Sequence, residues 1–303
     1  MPEPRQVAIF ANPYSGTGAN RRKVSDFQDA LGSRGIESRL FWGLAERAEV
    51  LNDPGVGEAY RCVVSAGGDG SMAAVVNDLA AGGDTTRVPI AMLPMGNENL
   101  FAKEFGYGRG AARLAQAVDR CATRTIDIGD AGGRIFTLMA SVGFDAKVVA
   151  YVDAWRRSGD GLKRVNRMSY GPKILSAIRD YRYPRITLEA EGRRVEGAHA
   201  FIFNIGRYGG GLGIGRHADP ADGQLDWVVF ERPGLLRLAQ YGLWTYLRRH
   251  LKRKDVHHGR ASSITLSGPQ DTEPLPIQVD GDPGGATPMH ITTRHDAMRI
   301  VVA

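Results

Sequence analysis

Several short stretches of this sequence set carboxylates and hydroxyls on glycine turns. In Cys62-Val-Val-Ser-Ala-Gly-Gly-Asp-Gly-Ser-Met72, an apolar run ends in Gly67, Gly68, Asp69, Gly70 and Ser71, and a helix-like stretch follows at once. Strand, tight glycine turn and helix N-terminus together can hold an anion, because backbone N–H groups approach it and the helix dipole favours its charge. A carboxylate beside such an anion calls for a metal or for a proton to transfer, and Asp69 is that carboxylate. Asp219-Pro-Ala-Asp-Gly-Gln224 places two more carboxylates on a turn, where their oxygens suit a hard cation such as Mg²⁺ or Ca²⁺. Gln278-Val-Asp-Gly-Asp282 closes a short apolar run, and its Asp-Gly pair reads on its own as a turn.

These turns need strands and helices to position them. Residues 7–11 read as a buried strand running into Asn12-Pro-Tyr-Ser-Gly-Thr-Gly18. A helix then begins near Asn20 with Arg21, Arg22 and Lys23 in its first turn. Cations there oppose the helix dipole, which points to an anion nearby or to plain solvation. Residues 37–42 and 88–93 read as further strands, the latter meeting Pro94-Met-Gly-Asn-Glu-Asn-Leu-Phe-Ala102. Strands alternating with helices predict a parallel, doubly wound sheet, in which ligands collect beyond the carboxyl ends of the strands. The three polar turns at 12–18, 67–71 and 94–99 therefore point to one edge.

From about residue 123 short strands follow one another, at 125–129, 135–140, 185–189, 200–204, 225–230, 264–266, 277–279 and 299–302. Helices are expected mainly around 145–157, 168–181 and 235–250. This texture predicts a largely antiparallel β domain, a sandwich or half-open barrel, with a boundary near 124. Two domains also suit 303 residues. Hydrophobic and charged fractions of 43% and 24% are those of a globular protein, and no apolar run reaches a membrane span. The two cysteines make neither a disulfide framework nor a metal site. With no apolar leader at the start, the expected location is cytoplasmic. A net charge of +6 gives weak support for an acidic partner. Neither a Walker P-loop nor a G-x-G-x-x-G stretch occurs.

Seven motifs in order, Asn12-Pro-Tyr-Ser-Gly16, Gly67-Gly-Asp-Gly-Ser71, Pro94-Met-Gly-Asn-Glu-Asn99, Ser141-Val-Gly-Phe-Asp-Ala146, Gly209-Gly-Gly211, Asp219-Pro-Ala-Asp-Gly223 and Val279-Asp-Gly281, span nearly the whole chain. Together they resemble the diacylglycerol kinase catalytic-domain family, in its soluble bacterial lipid-kinase branch related to sphingosine kinases. Ser71 stands where the family has threonine, Gly96-Asn-Glu-Asn-Leu100 where it has Gly-Thr-x-Asn-Asp, and Asp282 where it has glutamate. The resemblance implies an α/β N-terminal domain (phosphofructokinase/NAD-kinase-like, doubly wound) over 1–124. It implies a β-rich C-terminal domain, an antiparallel sandwich, over 125–303, and allows the segment after residue 291 to return to the first domain. The implied reaction is ATP-dependent transfer of the γ-phosphate to a lipid hydroxyl such as that of diacylglycerol, with Mg²⁺.

By the same resemblance Asn12, Ser15, Gly16, Gly67, Gly68, Asp69, Gly70, Ser71, Gly96, Asn97 and Asn99 surround the nucleotide. Asp69 meets Mg²⁺ at the phosphates, and Asp280 is the general base. Asp219, Asp222 and the backbone of Gln224 hold a structural Mg²⁺. Gly143-Phe-Asp145 and the run from Tyr208 to Gly211 are expected to line the acceptor cleft. The partners implied are ATP and a lipid alcohol, with a homodimer as a further expectation and no nucleic acid. The apolar helix at 234–247, followed by Arg248, Arg249, His250, Lys252, Arg253 and Lys254, reads either as a core helix with a solvated basic end or as a contact with an anionic membrane at its inner surface. The competing functions are an NAD-kinase-like enzyme, which shares the GG-D-G turn and an Asn-Glu pair like Asn97-Glu98, and a non-catalytic lipid- or nucleotide-binding regulator.

Overall fold

The computed structural model describes residues 6–11, 18–108, 110–158, 174, 176–270 and 272–303. The chain forms two compact units, Met1–Ile128 with His295–Ala303, and Gly129–Arg294.

In the first unit, β1 (Val7–Ala11), β2 (Ser38–Phe41), β3 (Cys62–Gly67) and β4 (Ile90–Pro94) lie parallel in the order β2-β1-β3-β4. Every residue of β1, β3 and β4 is buried, as expected of strands covered on both faces. The connections are helical: α1 (Gly18–Gly32), α2 (Leu44–Asn52), α3 (Val56–Ala59), α4 (Asp69–Ala81), α5 (Leu100–Phe105) and α6 (Ala111–Arg120). The end of the chain closes this sheet, with Ile300 pairing in parallel with Ile90 of β4. Polar contacts fix that return. Tyr107 Oη donates to the carbonyl of Val301, Thr85 Oγ1 to that of Ala297, and Val302 N to that of Ala122.

The second unit is an antiparallel sandwich. After β5 (Thr123–Ala131), whose end belongs here, come β6 (Arg134–Phe136), β7 (Met139–Val142), α7 (Phe144–Arg157), β8 (Ile186–Ala190), β9 (Arg193–Gly197), β10 (His199–Phe203), β11 (Leu225–Phe230), α8 (Leu235–Tyr246), β12 (Val256–Ala261), β13 (Ser263–Ser267), β14 (Pro276–Val279), β15 (Asp282–Ala286) and β16 (Met289–Val301). One sheet runs β12-β11-β10-β7-β14-β15; in the other, the start of β16 pairs with β13, then β8 and β9. Apolar residues alternating along the strands meet between the sheets, where Phe136, Val142, Leu188, Trp227, Leu266 and Ile277 form one core.

The helix expected over 235–250 stops at Tyr246. Arg248 takes a left-handed φ of 56°, and a 3-10 turn, His250–Lys252, follows. Of the helix expected at 168–181, residues 168–173 lie outside the described residues. No helix among the described residues is long and apolar enough to cross a membrane.

Candidate active site

The turn after β3 is built by close approach. A Cβ on Gly67 would lie 2.2 Å from Ser71 Oγ, so the first turn of α4 folds against the end of the strand. A Cβ on Gly96 would lie 2.6 Å from the Cα of Gly68, so the turn after β4 packs directly on the turn after β3. Two glycine turns at the carboxyl ends of neighbouring parallel strands thus share one wall. Gly70 is exposed at the start of α4, leaving the helix N-terminus open to an anion.

Asp69 sits where these turns join. Its Oδ1 accepts the amide of Phe101 at 3.0 Å, in the first turn of α5. Burial raises the proton affinity of this carboxyl, while the amides of Phe101 and Leu100 and the Lys103 ammonium oppose the shift. Such a carboxylate, short of solvent and fixed by one oxygen, is suited to a cation.

The loop 96–100 departs from the family pattern, and its internal bonds show what it does here. Asn99, at φ 49° and 5% exposed, accepts the amide of Gly96 through Oδ1 at 2.8 Å and donates Nδ2 to the carbonyl of Gly96 at 2.8 Å. Both ends of its amide close its own turn. Asn99 therefore shapes the loop that carries Gly96. Asn97 is exposed on the same turn. Arg21 lies over the Trp42 ring at 5.8 Å. Asn12, Ser15 and Gly16 lie outside the described residues.

In the second unit Asp280 is 8% exposed and held on all sides. Its Oδ1 accepts the amides of Leu138 at 3.0 Å and Met139 at 2.9 Å. Its Oδ2 accepts the amide of Thr137 at 2.9 Å and Thr137 Oγ1 at 3.3 Å. A carboxylate offers about four lone-pair positions, and these contacts occupy them. Asp280 ties the turn after β14, where its own φ is 50°, to the start of β7.

A second carboxylate lies just after β7. Asp145, in the first turn of α7, accepts Ser141 Oγ at 2.7 Å and Tyr208 Oη at 2.7 Å. Gln278 Nε2 donates to Ser141 Oγ at 3.0 Å, and its Oε1 accepts the amide of Gly281 at 2.8 Å. Burial pushes the Asp145 carboxyl above its usual range, against these hydrogen bonds. The motif Gly143-Phe-Asp145 flagged this aspartate, but its partner Tyr208 stands 63 residues away and sequence spacing carries no trace of the pairing. Gly143, at φ 129°, has no room for a Cβ, which would meet His199 Nδ1 at 3.0 Å. Asp282, beside Arg134 at 3.7 Å, is also shifted upward by burial.

The 219–224 turn brings its carboxylates near a third. Asp219 Oδ1 accepts the amide of Ala221 at 3.1 Å, and Asp222 Oδ1 that of Gln224 at 3.0 Å. Asp222 Oδ2 pairs with Arg260 at 2.9 Å. Asp226, on β11, is pushed up to about 6, first by burial and then by Asp222 and Asp219, against Arg260. Its Oδ2 is buried with no hydrogen-bond partner. The orphaned oxygen lies in the field of two other acids, but among the described residues the ligand oxygens of Asp219, Asp222 and Asp226 are not all within 4.8 Å of one another, so the three acids do not form a ready cation site in this geometry. Asp226 was absent from the sequence reading, although an acid four residues after Asp222 in an apolar strand was a usable signal.

Comparison with known proteins agrees with this architecture. Residues 6–131 match the diacylglycerol kinase catalytic domain, and residues 139–302 match the YegS C-terminal NAD kinase beta sandwich-like domain. A diacylglycerol kinase of Mycobacterium tuberculosis is 26% identical over 98% of this chain and 94% of its own length. A protein of Pseudomonas putida named "Probable lipid kinase YegS-like" is 28% identical over 84% of this chain and 83% of its own. The crystal structure of a diacylglycerol kinase from Bacillus anthracis superposes with a TM-score of 0.75 at 19% identity, covering 99% of this chain and 97% of that one, a likeness of fold. The α/β unit with its glycine turns matches one domain of this family and the β-sandwich the other, and the chain belongs to the diacylglycerol kinase catalytic-domain family, with a YegS-type C-terminal domain.

Proposed function

We propose that the chain is an ATP-dependent lipid kinase that transfers the γ-phosphate to a lipid hydroxyl, with diacylglycerol as the first candidate acceptor. The observation that carries this reading is the joined pair of glycine turns at Gly67–Gly68 and Gly96, with Asp69 fixed between them at the open N-terminus of α4. Phosphoryl transfer asks the protein mainly for positioning and charge neutralisation, and these turns supply both. Gly67, Gly68, Gly70, Ser71, Gly96 and Asn97, with Asn12, Ser15 and Gly16, are assigned to the nucleotide. Asn99 holds Gly96 in place.

The acceptor hydroxyl gives its proton to a carboxylate as its oxygen attacks the γ-phosphorus, and ADP leaves. Of the two carboxylates beside β7 and β14, Asp280 has its lone pairs occupied by three amides and the Thr137 hydroxyl, whereas Asp145 has a raised proton affinity and accepts side-chain donors from Ser141, Tyr208 and Gln278. The base is therefore assigned to Asp145 and a positioning role to Asp280, which changes the expectation drawn from the resemblance. Mg²⁺ would supply countercharge for the phosphates, and Asp69 is the residue that would hold it at the nucleotide; Asp219, Asp222 and the backbone carbonyl of Gln224 are assigned to a separate, structural cation.

Incubation with labelled ATP, Mg²⁺ and a total lipid extract tests the reading. A phosphorylated lipid is expected; phosphorylation of NAD with every lipid unlabelled would move the assignment to the NAD-kinase-like alternative. For the base, Asp145→Asn is expected to lower turnover by about 10²–10⁴ and to remove the acid limb of the pH profile. A folded Asp280→Asn variant with that behaviour, beside an active Asp145→Asn, returns the role to Asp280.

A further inference from the structure

Helix α8 turns its apolar side outward. Its exposed residues are Leu235, Leu236, Ala239, Leu243 and Tyr246, continued by Leu247 at the C-cap. At 100° per residue these fall within about a third of the helix circumference, so they form one face. Leu236 is 87% exposed and Tyr246 76% exposed. The opposite side is the one in contact with the unit, and its buried residues are Tyr241 and Thr245. A helix on a protein in water ordinarily shows the reverse arrangement, and a contiguous apolar face rimmed by charge marks an interaction surface.

The charges around this face select its partner. Arg248, in the left-handed conformation, turns the chain at the end of the helix, and Arg248, Arg249, Lys252 and Lys254 follow, all exposed. Among the described residues none of these four has a carboxylate within ion-pair distance. Arg253, by contrast, is anchored by two bonds to Asp255, at 2.8 and 2.9 Å, and lies over the Trp244 ring at 5.5 Å. A hollow of about 290 Å³ beside the helix base is lined by Arg232, Arg253 and Lys254 with Glu231 and Asp255. A second copy docking by two-fold symmetry on this face would bring two sets of unneutralised cations together. An anionic bilayer offers them phosphates and offers the leucines an apolar layer.

We propose that the outer face of α8 is a membrane-docking surface. Leu236, Leu243, Tyr246 and Leu247 enter the headgroup–acyl boundary, while Arg248, Arg249, Lys252 and Lys254 meet anionic headgroups. The inference deepens the lipid-kinase reading and rests on it for the identity of the surface, since an alcohol embedded in a bilayer is reached from that bilayer.

The test is cosedimentation of the full chain, without ATP, with vesicles of phosphatidylcholine alone or mixed with phosphatidylglycerol, at low and high salt. The protein is expected to bind the mixed vesicles, and more weakly at high salt. Leu236→Ser combined with Leu243→Ser is expected to weaken binding by about tenfold or more, with an unchanged melting curve because both side chains are exposed. Arg248→Ala combined with Arg249→Ala is expected to remove much of the salt dependence. Equal binding by the double serine variant, equal binding to neutral and mixed vesicles, or no binding to either would overturn the proposal. So would a dimer, seen by light scattering without vesicles, that the serine pair dissociates. Turnover on detergent-dispersed lipid reads the kinase assignment independently. Lost vesicle binding with normal turnover supports both readings, and vesicle binding without any turnover leaves the docking surface standing while the kinase reading fails.

Discussion

Gly68 and Gly96 come from different βα turns, yet a Cβ on Gly96 would stand 2.6 Å from the Cα of Gly68. The partner atom is backbone, so a methyl group cannot be accommodated by a side-chain rotation. Gly96→Ala is expected to cost roughly 1–3 kcal/mol of stability by overpacking. It is also expected to weaken binding of a non-hydrolysable ATP analogue more than the stability loss alone explains. Denaturant titration and calorimetric binding of the analogue read the two effects separately, and analogue affinity equal to wild type would contradict the shared wall.

Asp69 accepts the Phe101 amide, and in the proposed site it has the second task of presenting charge to a cation. Asp69→Asn keeps an acceptor oxygen and loses the charge. Its melting temperature is expected to stay close to wild type while turnover falls by about 10²–10³. Asp69→Ala removes the acceptor as well and is expected to melt lower than Asp69→Asn.

For Asp280 the expected signature is structural. In Asp280→Asn one oxygen becomes an NH₂ group facing amide donors, and a buried donor is left unsatisfied. A loss of about 1–3 kcal/mol in urea unfolding is expected. An unchanged midpoint would mean that the four contacts add nothing to the fold.

Asp226 gives a prediction in pH. Its folded pKa, raised to about 6, exceeds the unfolded value, so between about pH 4 and 6 the native state holds a proton that the unfolded chain has released. Stability contributed by this group falls as pH rises through that window and is lost above it. Without divalent cation, Asp226→Asn is expected to gain about 1–3 kcal/mol near neutral pH and nothing near pH 4.

His199 acts with the opposite sign. It is 1% exposed, burial pulls its pKa down to about 4, and Nδ1 accepts the Phe144 amide at 3.3 Å. The unfolded chain therefore binds the extra proton first as pH falls from about 6.5. The stability associated with neutral His199 is complete above that value and is lost on acidification towards pH 4. His199→Gln is expected to flatten the acid limb of the stability profile, and Asp226→Asn to steepen it.

The parallel order of the first unit and the sandwich of the second were legible because buried strands without polar alternation and short alternating strands carry different signatures. The turns at 67–71 and 94–99 were legible as a glycine cluster and a polar stretch around Gly96, each directly after an apolar run. The inward closure of Asn99 on Gly96 was not, because it depends on a left-handed backbone that no neighbouring residue type announces. The saturation of Asp280 was also hidden. Its four donors lie on residues 137–139, more than 140 positions away, and three of them are backbone amides common to every sequence. The outward side of α8 escaped because periodicity identifies an apolar stripe without saying which way the stripe faces.

The bond from Phe101 to Asp69 turns one backbone amide into a reporter. Any cation that draws charge from the Asp69 carboxylate weakens it as an acceptor, and the Phe101 proton registers the change in its chemical shift and exchange rate. Occupancy of the proposed nucleotide site can therefore be followed at a backbone amide, in a protein carrying no label but ¹⁵N.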